Sequence, residues 1–196
     1  TDLLSMWLSA SDESVVIGLL ADESLRGERE INTPNNNRVA ALKGGRQPLR
    51  NRSGLLGLNA CKLIPSKYAK RIKYEDSLVS GEDTVFMSQL LEFEDLTLVP
   101  CAPMAGSMYV RRMSDNSVSR QPESFDFCVK QRIAVINCLI ETRNRIHKKN
   151  AGAINYLIDN QASFIRKYYS SNPSRQREVK DFISSNCIDR KVVRLG

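Results

Sequence analysis

Residues 59–91 read NACKLIPSKYAKRIKYEDSLVSGEDTVFMSQLL. Within this stretch GEDTVF, residues 81–86, sets Glu82 and Asp83 just ahead of an apolar run. Phe86, Leu90 and Phe93 recur at three- to four-residue spacing, which predicts a helix over 82–93. Carboxylates at a helix start are stabilised by the free backbone N–H groups and by the helix dipole. The same position has a chemical use, because a carboxylate there can face a cleft and take a proton from a bound hydroxyl. The dipole keeps such a group ionised and weakens it as a base. Burial, or a like charge such as Glu82, works in the opposite direction.

Working outward, 15–20 (VVIGLL) is an apolar run that reads as a buried strand. Residues 96–101 and 104–112 read as two further strands, with Pro100 and Pro103 at the turn between them. A short helix or turn is expected around 65–70, and residues 2–10 align Leu3, Leu4, Trp7 and Leu8 on one helical face. Residues 24–54 are rich in Gly, Pro and Asn, with many cations between, and read as a long loop, a candidate lid or substrate loop. After Pro122 the pattern turns helical. Phe127, Ile133, Ile136, Ile140 and Ile146 mark one helix over 123–149. Ile154, Leu157, Ile158, Phe164 and Ile165 mark a second over 153–170, and a third follows over 174–186 with Ser174 as its cap. The expected organisation is α/β over 1–121, then a helical C-terminal region over 122–196.

The run from Lys62 and Leu63 through an aromatic-acidic segment to G-E-D-x-x-F and an apolar helix resembles bacterial family-two glycosyltransferases. The segment YVRRMSDNSVSR, residues 109–120, resembles that family's tyrosine-arginine strand and serine turn. The likeness covers roughly 55–120 and, more loosely, 1–20. It implies a partial GT-A (Rossmann-like) glycosyltransferase domain acting with inversion. It makes Asp83 the catalytic base and Glu82 its supporting partner. Arg111, Arg112, Ser117, Ser119 and Arg120 become candidates for the donor diphosphate, since guanidinium forks and hydroxyls suit phosphate oxygens. Asn59 and Lys62 are expected to line the cleft. The partners implied are a nucleotide-sugar donor and a saccharide or lipid-linked acceptor, in envelope polysaccharide synthesis at the cytoplasmic face of the membrane. Such enzymes hold Mg²⁺ or Mn²⁺ on an Asp-x-Asp motif. This sequence contains no Asp-x-Asp, so no metal site is expected within it. Thr1 is not a start methionine, and residues 1–10 resemble the helix that follows that motif. The chain is therefore expected to be the acceptor-side portion of a longer enzyme, inactive alone.

Composition narrows the alternatives. Hydrophobic residues are 41% and charged residues 26%, enough for a packed core. The five cysteines are odd in number and lack CxxC pairing, which favours free thiols over a disulfide framework. One histidine, His147, makes a zinc site or a histidine-based triad hard to build. The net charge of +7 suits an anionic partner. A second reading is a non-catalytic module docking on a membrane surface or a partner protein. It would use Arg143, Arg145, Lys148, Lys149, Arg166, Lys167, Arg175 and Arg177, with Tyr168 and Tyr169 beside them. No recognisable nucleic-acid motif is present, and nucleic acid is not an expected partner.

Overall fold

A computed structural model describes residues 12–43, 45–101, 108–113 and 123–195. The apolar run near the start forms β1 (Ser14–Ile17) and β2 (Leu19–Glu23), separated by Gly18. β3 is Arg29–Glu30, followed by α1 (Pro34–Ala40), β4 (Gln47–Pro48) and 3-10 turns over Leu49–Leu55. β5 is Lys62–Leu63, α2 Ser66–Ala69, α3 Glu82–Gln89, β6 Thr97–Pro100 and β7 Met108–Arg112. A π-helical turn over Asp126–Gln131 runs into α4 (Arg132–Arg145). α5 (Ala151–Ser171) and α6 (Gln176–Asn186) follow. The chain is thus mixed α/β with a helical C-terminal region.

Two small mixed sheets meet at Gly18. The first has strand order β4-β6-β1-β5, the second β3-β2-β7. β1 lies parallel to β6, and β2 parallel to β7. β6 and β7 therefore belong to different sheets and do not pair with each other as a hairpin. Bonds bridge the break: Cys101 N donates to Ile17 O at 2.7 Å, and Gly18 N donates to Cys61 O at 2.7 Å. β1 is buried on both faces, which explains why it reads as a continuous apolar run.

Residues 24–54 correct the expectation of a long loop. Thr33 caps α1 by accepting from Asn36 N at 3.2 Å, and Pro34 stands at the first helical position, where its missing N–H costs nothing. Asn36 then does the work of a strand neighbour. Its Oδ1 accepts from Leu20 N at 2.9 Å, and its Nδ2 donates to Leu20 O at 2.7 Å and to Ile31 O at 2.8 Å. Asn36→Ala leaves three backbone groups without their partner, at a cost of about 1–3 kcal/mol. Urea denaturation should show a lower midpoint at unchanged slope. An unchanged midpoint would mean that water replaces the side chain freely.

One hydrophobic cluster runs through both expected regions, from Val15 and Leu98 in the sheet to Leu139, Ile158 and Val179 in the helices. α4 packs along α5 and against α3, so the C-terminal helices support the Glu-Asp helix directly. Each buried Ile or Leu contributes about 1.5–3 kcal/mol. The surface ion pairs of these helices contribute roughly 0.2–1 kcal/mol each, so the core holds them in place. Phe164 departs from the apolar pattern: it is 42% exposed and lies under the Arg132 guanidinium at 5.3 Å. Ser174 is not the cap of the last helix. Asn172 precedes the turn Pro173–Arg175, and α6 begins after Arg175 without a side-chain cap. All five cysteines are free thiols. Among the described residues no helix is long and apolar enough to cross a membrane. The expected helix over 2–10 lies outside the described residues.

Candidate functional site around Asp83

α3 starts on Gly81, whose φ of +91° is a conformation that favours glycine. A Cβ at Gly81 would meet Val135 Cγ2 at 2.7 Å, so α4 also excludes any side chain there. No side chain caps this end, which leaves Glu82 and Asp83 in the first turn. Thr84, Val85, Phe86, Met87 and Ser88 are buried and anchor the helix. Gln89 clamps the incoming chain, donating to Lys73 O at 2.7 Å and accepting from Lys73 N at 3.3 Å. That clamp sets Tyr74 against Phe86, with ring centroids 4.2 Å apart and planes 10° from parallel. Tyr74 OH is hydrogen-bonded by Asn59 Nδ2.

Asp83 is half-buried in this arrangement. Burial is the main cause that pushes its carboxyl above the ordinary aspartate range, and the neighbouring Glu82 charge adds to it. The Asn59 backbone amide and the Lys62 cation pull the other way without cancelling the rise. Burial and like charge therefore outweigh the opposing terms, and the group is a stronger base than a surface aspartate. Lys62 shows the mirror effect: burial pulls its ammonium down, partly offset by the Cys61 and Asp83 charges. Its Nζ donates to Leu58 O. Burial likewise raises the Tyr74 phenol, with Asp83 adding to the rise. Asn59, Lys62, Glu82 and Asp83, four of the residues singled out from sequence, thus stand within one electrostatic neighbourhood.

Cys61 precedes Lys62 with a φ of +56° and is buried, which raises its thiol. Asn35 of α1 lies beside it, and its side chain opposes the rise of the thiol. On the other side Arg111 is close enough for its charge to act on Cys61. Arg111 is engaged, however. Its Nε and Nη2 donate to the two Asp22 oxygens at 2.8 and 2.9 Å, across the paired strands β2 and β7. Arg112, mostly exposed, stands 3.7 Å from Glu23. An open depression of about 680 Å³ lies beyond these pairs, lined by Asp22, Ser24, Arg29 and Met113 among others, and Asp83 is not in its walls. Ser117, Ser119 and Arg120 lie outside the described residues.

Three participants lie outside the residues singled out from sequence. Tyr74 and Asn35 sit in segments that read as surface, and their placement comes from tertiary contacts. Arg132 is the third. It is only 4% exposed, donates from Nη1 to Gln161 Oε1 at 2.9 Å and from Nη2 to Ser80 O at 3.4 Å, and stacks on Phe127 at 4.7 Å. It ties the Ser80–Gly81 turn to α5. A cation at a core position between Val129, Ile133 and Ile136 was its one available signal.

Among the described residues no group of three or more His, Cys, Asp or Glu stands close enough to hold a metal ion. His147 is exposed, and its Nδ1 accepts from Lys149 N at 3.2 Å, a capping role. The basic C-terminal residues are largely paired. All but Lys148 of the eight cations singled out above face a carboxylate, as in Arg145–Glu92 at 3.1 Å and Arg166–Asp159 at 2.9 Å. Tyr168 is buried and Tyr169 half-buried. No family model matches the chain, and no significant match was found among curated proteins or solved structures.

Proposed function

We propose that the chain is the acceptor-side portion of an inverting GT-A glycosyltransferase of family two, with Asp83 as its catalytic base. The observation that carries this reading is the half-buried Asp83 at the Gly81 turn, its carboxyl raised by burial and by Glu82. In the proposed reaction the ionised Asp83 takes the proton of an acceptor hydroxyl. The oxygen attacks the anomeric carbon of a nucleotide-sugar as the bond to the diphosphate breaks. The electron pair leaves with the diphosphate, and the configuration inverts. Glu82 keeps the Asp83 carboxyl basic. Lys62 keeps it ionised between turnovers. Asn59 fixes Tyr74, whose exposed ring borders the acceptor side. Arg111 and Arg112 serve the donor phosphates once they share or release their carboxylates.

A divalent Mg²⁺ or Mn²⁺ belongs to this proposal as the cofactor of the full-length enzyme. Among the described residues no group of three or more His, Cys, Asp or Glu stands close enough to hold one. The proposed setting is envelope polysaccharide synthesis on the cytoplasmic side of a bacterial membrane, with a saccharide or lipid-linked acceptor. The test is sugar transfer by the full-length protein carrying Asp83→Asn. Wild-type rates in that variant would remove Asp83 as the base.

The alternative, a non-catalytic docking module, draws its support from the +7 net charge alone. The ion pairs along the C-terminal helices neutralise much of the surface it would use. Binding to anionic vesicles that falls steeply with salt would favour it.

A further inference from the structure

We propose that the pocket between α1, the 49–55 turns and α5 is a binding site for a phosphate-type oxyanion. It encloses about 210 Å³, and Arg38, Asn51, Arg52, Ser53 and Tyr156 are among the residues that line it. That volume is below the roughly 300–1,000 Å³ of sites that take whole small molecules, and it suits one charged group of a larger ligand. No acidic side chain lines the pocket. Neither Arg38 nor Arg52 forms an ion pair among the described residues.

The geometry brings donors together. Arg38 Nε lies 2.8 Å, and Tyr156 OH 3.3 Å, from the point where a Gly54 Cβ would stand. The absence of a side chain at Gly54 is what admits the Arg38 guanidinium. Arg52 interrupts the 3-10 turns with φ −129° and ψ 37°, and it lines the pocket together with Arg38. Two guanidinium forks flanked by hydroxyls match a tetrahedral oxyanion, which accepts from several directions. A phosphate fits this donor set better than a carboxylate, which has only two oxygens to offer.

The site does not depend on the Asp83 reading, and binding measurements test it apart from any transfer reaction. Titration calorimetry with inorganic phosphate, at ionic strength held constant with chloride, should show saturable binding. Acetate at the same concentrations should bind much more weakly. Arg52→Gln and Arg38→Gln should each weaken phosphate binding at least about tenfold, the loss expected for one charge-assisted contact. Gly54→Ala should do the same by displacing Arg38. Arg52→Lys, which keeps the charge but not the fork, should fall in between and guards against a folding artefact. Vesicles containing phosphatidate identify the source. Vesicle binding lost in Arg52→Gln assigns a lipid phosphate, whereas phosphate binding without vesicle binding assigns a soluble one. Absence of saturable phosphate binding, or folded Arg38 and Arg52 variants that bind like wild type, overturns the proposal.

Discussion

Asp83→Asn in the full-length protein should lower kcat for sugar transfer by about 10²- to 10⁴-fold, the range that a positioned general base supplies. KM should change little, because asparagine keeps the shape of the side chain and removes only its basicity. The pH profile gives a second readout. On the proposed reading transfer needs ionised Asp83, so kcat/KM should fall as pH drops through the Asp83 pKa. Burial and Glu82 have raised that pKa. The acid limb should therefore lie above the position of an ordinary aspartate, near 3.9. Glu82→Gln removes the like charge and should move the limb down, while Lys62→Met removes the opposing charge and should move it up. A limb that ignores both variants would belong to another group.

The same variant should be more stable than wild type at neutral pH. The folded pKa of Asp83 is raised, so the native state binds its proton more tightly than the unfolded chain does. Stability from this group is fully present below the ordinary aspartate pKa and is lost as pH rises through the raised one. At pH 7 the carboxylate is ionised and carries its burial penalty, which asparagine avoids. Thermal unfolding of Asp83→Asn should therefore occur at a higher Tm at pH 7, with the gap closing on acidification. A gain in stability together with a loss of transfer is the signature of a group kept for chemistry. A loss of both would mark Asp83 as a structural cap.

Much of the frame was legible in the sequence, because it rests on local patterns. The strand at 15–20, the helix opening at Glu82 and the C-terminal helices all follow from apolar spacing. The break at Gly18 was not legible, since it depends on Cys61 and Cys101 arriving from far along the chain. α1 was missed although Thr33 and Pro34 spell a helix start. The Asn-rich composition after them reads as loop until Leu20 is seen to need Asn36. For the site, Asp83, Glu82, Lys62 and Asn59 are close in sequence and so could be grouped. The pairing of Arg111 with Asp22, 89 residues away, is invisible to a motif.

Gly81→Ala should be the most destabilising small substitution near the site, at about 2–5 kcal/mol. Two independent costs combine. A left-handed φ of +91° costs an L-residue about 1–2 kcal/mol. The new methyl would also stand 2.7 Å from Val135 Cγ2, inside contact distance, and overpacking of this kind costs about 1–3 kcal/mol. For a chain of this length each kcal/mol lowers Tm by about 2–4 °C, so a fall of roughly 5–15 °C is expected. Because Arg132 holds the Ser80 carbonyl from the same helix, the turn cannot shift away from α4 without stretching that bond. The two costs separate in a double-mutant cycle. Val135→Ala removes the clash and leaves the dihedral strain, so in that background Gly81→Ala should cost only about 1–2 kcal/mol. A penalty unchanged by Val135→Ala would assign the whole effect to the backbone. A penalty abolished by it would mean that Gly81 is there to let α4 approach, and that the left-handed turn itself costs the chain nothing.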